Sequence, residues 1–177
     1  MLKKIFSLFV FFVFSLDLFG YSATLLAEYR MDEASWNGSA GEVLDSSGNG
    51  KHGTAIATKM PPVNLAATYA SGGQCKVGSF NLNAIDLSGL GVNTSPGATT
   101  TVSFWVKWDG SDNTIPFGWF HHDLIFAGGF FGFNTAGGDV YGISSTGMSD
   151  TWKHIVAVFN NKNMAANKLY VDGVLQT

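Results

Sequence analysis

The stretch Asp45-Ser46-Ser47-Gly48-Asn49-Gly50-Lys51-His52-Gly53 is where residue types and spacing first suggest chemistry. Glycine supplies backbone conformations with positive φ, while Asp, Ser and Asn fold their side chains back onto the local backbone. The composition predicts a tight loop with several oxygens pointing inward. Concave, oxygen-rich loops attract hard cations, above all calcium. An EF-hand is the first alternative. Asp45, Ser47, Asn49 and Gly50 fall at loop positions one, three, five and six, but the twelfth position is Ile56 where a bidentate Glu is needed. The flanks, rich in Gly, Pro and small residues, also lack amphipathic helices. The remaining readings are a calcium loop on a β scaffold and a plain Gly/Asn turn that binds no ion.

Other reactive residue types fit their spacing poorly. Retaining glycosidases need two carboxyl groups about 5–5.5 Å apart. The three glutamates, Glu28, Glu33 and Glu42, all lie early in the chain, and the adjacent Asp32 and Glu33 would point to opposite faces of an extended strand. His121-His122-Asp123 offers metal-ligand types, yet neighbouring strand residues diverge, so a polar loop tip is the simpler reading. His154 reads as a strand residue hydrogen-bonded to a neighbour. Cys75 is the sole cysteine, with no adjacent His motif and no partner for an internal disulfide. The Gly-rich segments lack the Lys of a phosphate loop. Exposed aromatics can stack on the apolar faces of pyranose rings, and Trp105, Trp119, Phe117 and Phe120 are the candidates. Trp36 and Trp152 read as structural. Core packing is the competing reading for every aromatic here.

The elements that must position these residues begin after an export signal. Met1 to Ser22 has a positive end at Lys3 and Lys4, an apolar run from Ile5 to Leu16, and small residues at Gly20 and Ser22. The run is short for a bilayer span, which needs about 20 residues. An uncleaved anchor is the alternative. The expected mature domain is residues 23–177, enough for one domain with a real core. Net charge is −3 and only 13% of residues are charged, which argues against a nucleic-acid partner. The membrane enters only through the signal segment during export.

Hydrophobic alternation predicts an all-β chain. Thr24 to Tyr29 reads as a first strand, followed by turn-rich sequence and the Asp45–Gly53 loop. An irregular stretch runs on through Pro61, Pro62 and Gly72-Gly73. Ser79 to Leu82 and Ile85 to Leu87 read as strands around Asn83-Ala84. In Thr100 to Trp108, Val102, Phe104, Val106 and Trp108 alternate with Thr101, Ser103, Trp105 and Lys107; the first set faces a core and Trp105 the other side. Leu124 to Ala127 and Phe130 to Asn134 form a hairpin at Gly128-Gly129. Val140 to Ser144 and Lys153 to Asn160 follow, the second apolar on both faces. Lys168 to Val171 and Val174 to Gln176 flank Asp172-Gly173, a strong hairpin signal. Many short strands with turns every 8–12 residues or so imply a two-sheet antiparallel sandwich.

Five segments in order carry a resemblance. They are Ala27-Glu28-Tyr29-Arg30-Met31-Asp32-Glu33, Asp45 to Gly53, Thr101 to Lys107, Trp152 to Val158, and Leu169-Tyr170-Val171-Asp172-Gly173. The chain resembles the laminin-G-like (concanavalin A-like lectin/glucanase) jelly rolls. With Ser35-Trp36-Asn37-Gly38 and Gly41-Glu42-Val43 before the loop, it is also similar to the MshQ-like proteins of pilus biogenesis. The resemblance implies a jelly-roll sandwich and a calcium near one rim, held by Asp45 and the carbonyls around Asn49 and Gly50. Together with the leader and the aromatic candidates, the expectation is an exported, non-enzymatic recognition module on a surface or pilus-associated protein, binding a glycan or a protein, with Trp105 and Trp119 as ligand contacts. A structural spacer is the alternative. The related glucanases place Glu-x-Asp-x-x-Glu on one strand, and that spacing is missing here. Relatives continue at least one strand past the Asp-Gly hairpin, so the jelly roll is expected to be incomplete at its C-terminal end.

Overall fold

The computed structural model describes residues 23–57, 63–68, 74–81, 83–119, 122–135 and 140–176. The expected signal at 1–22, with Phe120, His121 and the Pro61-Pro62 segment, lies outside them. The described residues are built from antiparallel β-strands, with two single-turn 3-10 segments at Ser88–Leu90 and Met164–Ala166 and no α-helix. The chain divides into two compact units after Leu90.

In the first unit, β1 (Thr54–Ala57) pairs with β4 (Asn83–Asp86), and β2 (Val63–Thr68) pairs with β3 (Gln74–Ser79), both antiparallel. Isolated antiparallel bridges join Tyr29 to Asp45 and Val43 to Gly53. Trp36, Val43 and Ala55 are buried together, with Tyr29, Met31 and Ile85 packed against them. Side-chain bonds fix this small core: Glu33 accepts from the indole N–H of Trp36 and from the N–H of Leu44. The close approach at Gly53 favours glycine, since a Cβ there would lie 2.7 Å from Leu87 Cδ2 and 2.8 Å from Ile85 Cγ2 and would force those side chains to shift.

Three expectations change in this unit. Thr24 to Tyr29 is not a strand; only Tyr29 bridges. Side chains engage much of this segment instead: the carbonyls of Leu25 and Leu26 accept from Asn49 Nδ2 and the N–H of Glu28 donates to Asp45, while the Glu28 carbonyl accepts the Ser46 N–H. The stretch read as irregular holds β1, β2 and most of β3, whose small residues leave little hydrophobic alternation to read. Asn83 and Ala84 belong to β4 rather than to a turn; the turn comes earlier, where Asn83 Oδ1 accepts the N–H of Asn81.

The second unit has two four-stranded antiparallel sheets. One runs β12 (Val174–Gln176), β11 (Lys168–Val171), β10 (Trp152–Asn160), β5 (Thr99–Lys107). The other runs β6 (Thr114–Trp119), β7 (His122–Ala127), β8 (Phe130–Thr135), β9 (Val140–Ser144). One core joins them: Leu124, Phe126, Phe131 and Phe133 from the second sheet bury against Ile155, Ala157, Phe159 and Leu169 from the first. Phe159 meets Phe133 edge to face at 5.0 Å, and Trp108 stacks on Phe126 at 4.2 Å. Fully burying one such ring stabilises by roughly 1.5–3 kcal/mol.

The turn chemistry follows the sequence. Gly128-Gly129 and Asp172-Gly173 adopt positive φ at both central positions, as a two-residue hairpin with the right-handed strand twist requires. The alternation in β5 holds as well: Val102, Phe104 and Val106 pack on the core, and Trp105 is 56% exposed on the opposite face.

Candidate functional site

Asp45 is buried, 8% exposed, and its carboxylate is already engaged. Oδ1 accepts the N–H of Glu28 at 2.9 Å and that of Ser47 at 2.8 Å; Oδ2 accepts the N–H of Lys51 at 2.9 Å. Burial works to raise this carboxyl. The N–H of Glu28, the Ser47 side chain and the N–H groups of Lys51 and Ser47 outweigh it, holding Asp45 well below the usual carboxylate range. The Asp45 N–H in turn donates to His52 Nδ1 at 3.0 Å, and the Tyr29 hydroxyl donates to the Lys51 carbonyl. Burial raises the Tyr29 phenol, and the Asp45 charge adds to that.

Asn49 and Gly50 stand on the exposed part of the loop. The Asn49 carboxamide donates to Leu25 O at 2.8 Å and Leu26 O at 3.2 Å, so it clips the preceding segment to the loop. Gly48 and Gly50 have φ of +90° and +67°, where a side chain would be strained. The loop therefore directs backbone donors at one carboxylate. Calcium takes 6–8 oxygens, about 2.3–2.6 Å away. A carboxylate offers about four lone-pair sites, and three of Asp45's are taken. Among the described residues no group of three or more His, Cys, Asp or Glu side chains converges as a metal site. Three of the about four lone-pair sites on Asp45 therefore serve backbone N–H groups.

The second candidate place is the face of the β12-β11-β10-β5 sheet that carries Trp105, turned away from the core. Register puts Trp105 opposite His154 and Ser103 opposite Val156. Their rings lie 5.1 Å apart at 36°, and Ser103 Oγ sits 2.9 Å from His154 Nε2. Across the next ladder Val156 faces Tyr170, and Tyr170 faces Leu175. Trp152 pairs with Lys107 at the end of the same face. Trp105, Trp152, His154 and Tyr170 thus share one face with Ser103, none of them in the row that enters the core. His154 is bonded to a strand neighbour, in keeping with its sequence reading. Its backbone is pinned as well, since the N–H donates to Asp172 Oδ1 at 3.0 Å and Lys153 Nζ reaches Oδ2 at 2.9 Å. These two bonds hold the Asp172 carboxyl below its usual range, the His154 N–H first.

Trp119 is placed differently. It is half-buried against the core, 4.6 Å from Phe159 and stacked on His122 at 5.7 Å and 9°. Its indole N–H is buried with no acceptor among the described residues. Phe117 also packs inward, near Phe104 and Trp119. So the structure separates the two tryptophans that the sequence grouped: Trp105 presents a ring to solvent and Trp119 packs. Trp36 is buried and structural, as read. The contributions of Trp152, His154 and Tyr170 to the Trp105 face were missed, because only the pairing of β5, β10 and β11 reveals them.

The exposed indole, flanked by an imidazole and a hydroxyl, offers a stacking surface and hydrogen-bonding groups side by side. The indole face is electron-rich and attracts polarised C–H groups, while Ser103 and His154 supply hydrogen bonds. Beside the Ser103–His154 contact, the Asp172 carboxylate bonds the backbone N–H of His154 and the Lys153 ammonium rather than the imidazole. A scan against family profiles and searches of characterised proteins and of solved structures find no match to this chain.

Proposed function

We propose that this chain is a non-enzymatic recognition module that binds a saccharide on the outer face of its β12-β11-β10-β5 sheet. The carrying observation is Trp105, 56% exposed on β5 at one edge of the sheet, with His154 of β10 beside it at 5.1 Å. Register puts Trp105 on one face with Tyr170 and exposed Leu175, and an apolar patch of this kind, unlike a single exposed residue, marks a binding surface. Pyranose rings present the flat C–H faces such a ring accepts. The strands of this sheet carry no carboxylate among their described residues, so the platform has no pair for glycoside hydrolysis. We place the module in the laminin-G-like jelly-roll class, exported by its leader to a cell surface or pilus-associated setting. The five ordered segments and the paired antiparallel sheets of residues 91–177 support that placement.

For the 45–53 loop, calcium is the rival proposal to a staple closed by Asp45 alone, and melts with calcium and with chelator decide between them. One lone-pair site on Asp45 Oδ2 and the loop carbonyls near Asn49 and Gly50 are what remain for the ion.

The test is retention of the intact protein on an array of neutral and acidic glycans, beside Trp105→Ala. Retention by the parent and its loss in the variant, at an unchanged melting midpoint, supports the reading. Equal retention by both overturns the assignment to this face. No retention by the parent selects the spacer, or a protein partner.

A further inference from the structure

The outer sheet face is cationic in a chain whose net charge is −3. Lys107 lies two residues from Trp105 on the same side of β5, and Lys168 lies opposite Val158 on the same side of β11. Both are exposed. Among the described residues the acidic groups bordering this face are the hairpin residue Asp172, Asp109 past the end of β5, and Asp150 just before β10, whose N–H donates to the Trp108 carbonyl. Asp172 is bonded to the His154 N–H and to Lys153 Nζ, and Asp109 is bonded to the Ser111 N–H. None stands on a strand of the sheet.

We infer that the saccharide bound at Trp105 is an acidic one, a sugar ring bearing a carboxylate that Lys107 meets while the ring rests on the indole. This rests on the reading of Trp105 as a sugar platform. The charge density selects the class. Two dispersed lysines suit one carboxylate per sugar, as in a hexuronate polymer. Densely sulfated chains call for clustered Lys and Arg, which this face does not present among its described residues. An exposed ion pair adds little by itself, at most about 1 kcal/mol or fivefold. The indole therefore supplies most of the affinity, and Lys107 supplies the choice between acid and neutral ester.

The experiment compares oligogalacturonate with the same oligomer after methyl esterification, which keeps the ring and removes the charge. The intact protein, Lys107→Gln and Trp105→Ala are measured at low and high salt. The expected result is a preference for the acid of about three- to fivefold, lost in Lys107→Gln and in high salt. Binding of the ester is unchanged by Lys107→Gln, and both ligands are lost in Trp105→Ala. Equal binding of acid and ester by the parent overturns this inference while leaving the sugar platform intact. Failure of the parent to bind either, with binding to other glycans preserved on the array, overturns the uronate choice. An acid preference that survives Lys107→Gln overturns the role of Lys107.

Discussion

Replacing Asp45 by Asn keeps the shape and volume of the side chain and removes its charge. In the parent, two N–H groups point at Oδ1 and one at Oδ2. A carboxamide offers one oxygen, so whichever way it is turned, at least one backbone N–H faces an NH2 group. With the oxygen toward Glu28 and Ser47, the Lys51 bond is lost. With it toward Lys51, the other two are lost. The bonds that remain are no longer charge-assisted, which makes each about half as strong. The tie between residue 28 and the loop weakens, and with it the Tyr29–Asp45 bridge. A melting midpoint about 10 °C below the parent is expected by circular dichroism, given roughly 4–8 °C per kcal/mol for a unit of this size. The same melts with calcium and with chelator separate the staple from an ion site. An ion at a hundredfold excess over its Kd would add about 2.7 kcal/mol, a rise of more than 10 °C. The geometry of Asp45 predicts superimposable curves. An Asn variant as stable as the parent, or a calcium-dependent rise that the variant abolishes, would refute the reasoning.

Phe159→Ala empties the centre of the second unit and is expected to destabilise it by about 3–5 kcal/mol in a urea titration, since Phe133 and Trp119 lose a packed neighbour. Acid weakens the fold. Asp45 and Asp172 are both held below their ordinary pKa, so their contribution is fully present above the unfolded value near 4 and is lost as pH falls through the lower folded values. A midpoint flat from about pH 7 to 5 and falling below about pH 4 is expected, with a shallower fall in Asp45→Asn. Lys107→Gln leaves stability within about 0.5 kcal/mol, as an exposed substitution should, while altering the acid preference described above.

Strands with strong alternation and glycine-marked turns were legible in the sequence. Thr99–Lys107, the Gly128-Gly129 hairpin and the Asp172-Gly173 hairpin appear where period and turn residues put them. The first unit was harder. In Thr54–Ala57 and Val63–Thr68 small residues mute the pattern, and Leu25 to Glu28 spend hydrogen-bonding groups on Asn49 and Asp45 rather than on a neighbouring strand. The loop at 45–53 was legible as a rigid turn. What its oxygens bond was not, because the donor from Glu28 lies seventeen residues away. Period alone put Trp105 on the face opposite the Val102, Phe104 and Val106 row, without saying whether that face was open or covered. Its neighbours His154 and Tyr170 could not be placed beside it, because register across β5, β10 and β11 is a property of the folded sheet.

The sharpest measurement follows the indole N–H signals by NMR while the intact protein is titrated with the glycan that the array retains best. The account predicts a saturable shift of the Trp105 signal, with buried Trp36 unmoved. A saccharide that saturates the protein while Trp105 stays in place would contradict it.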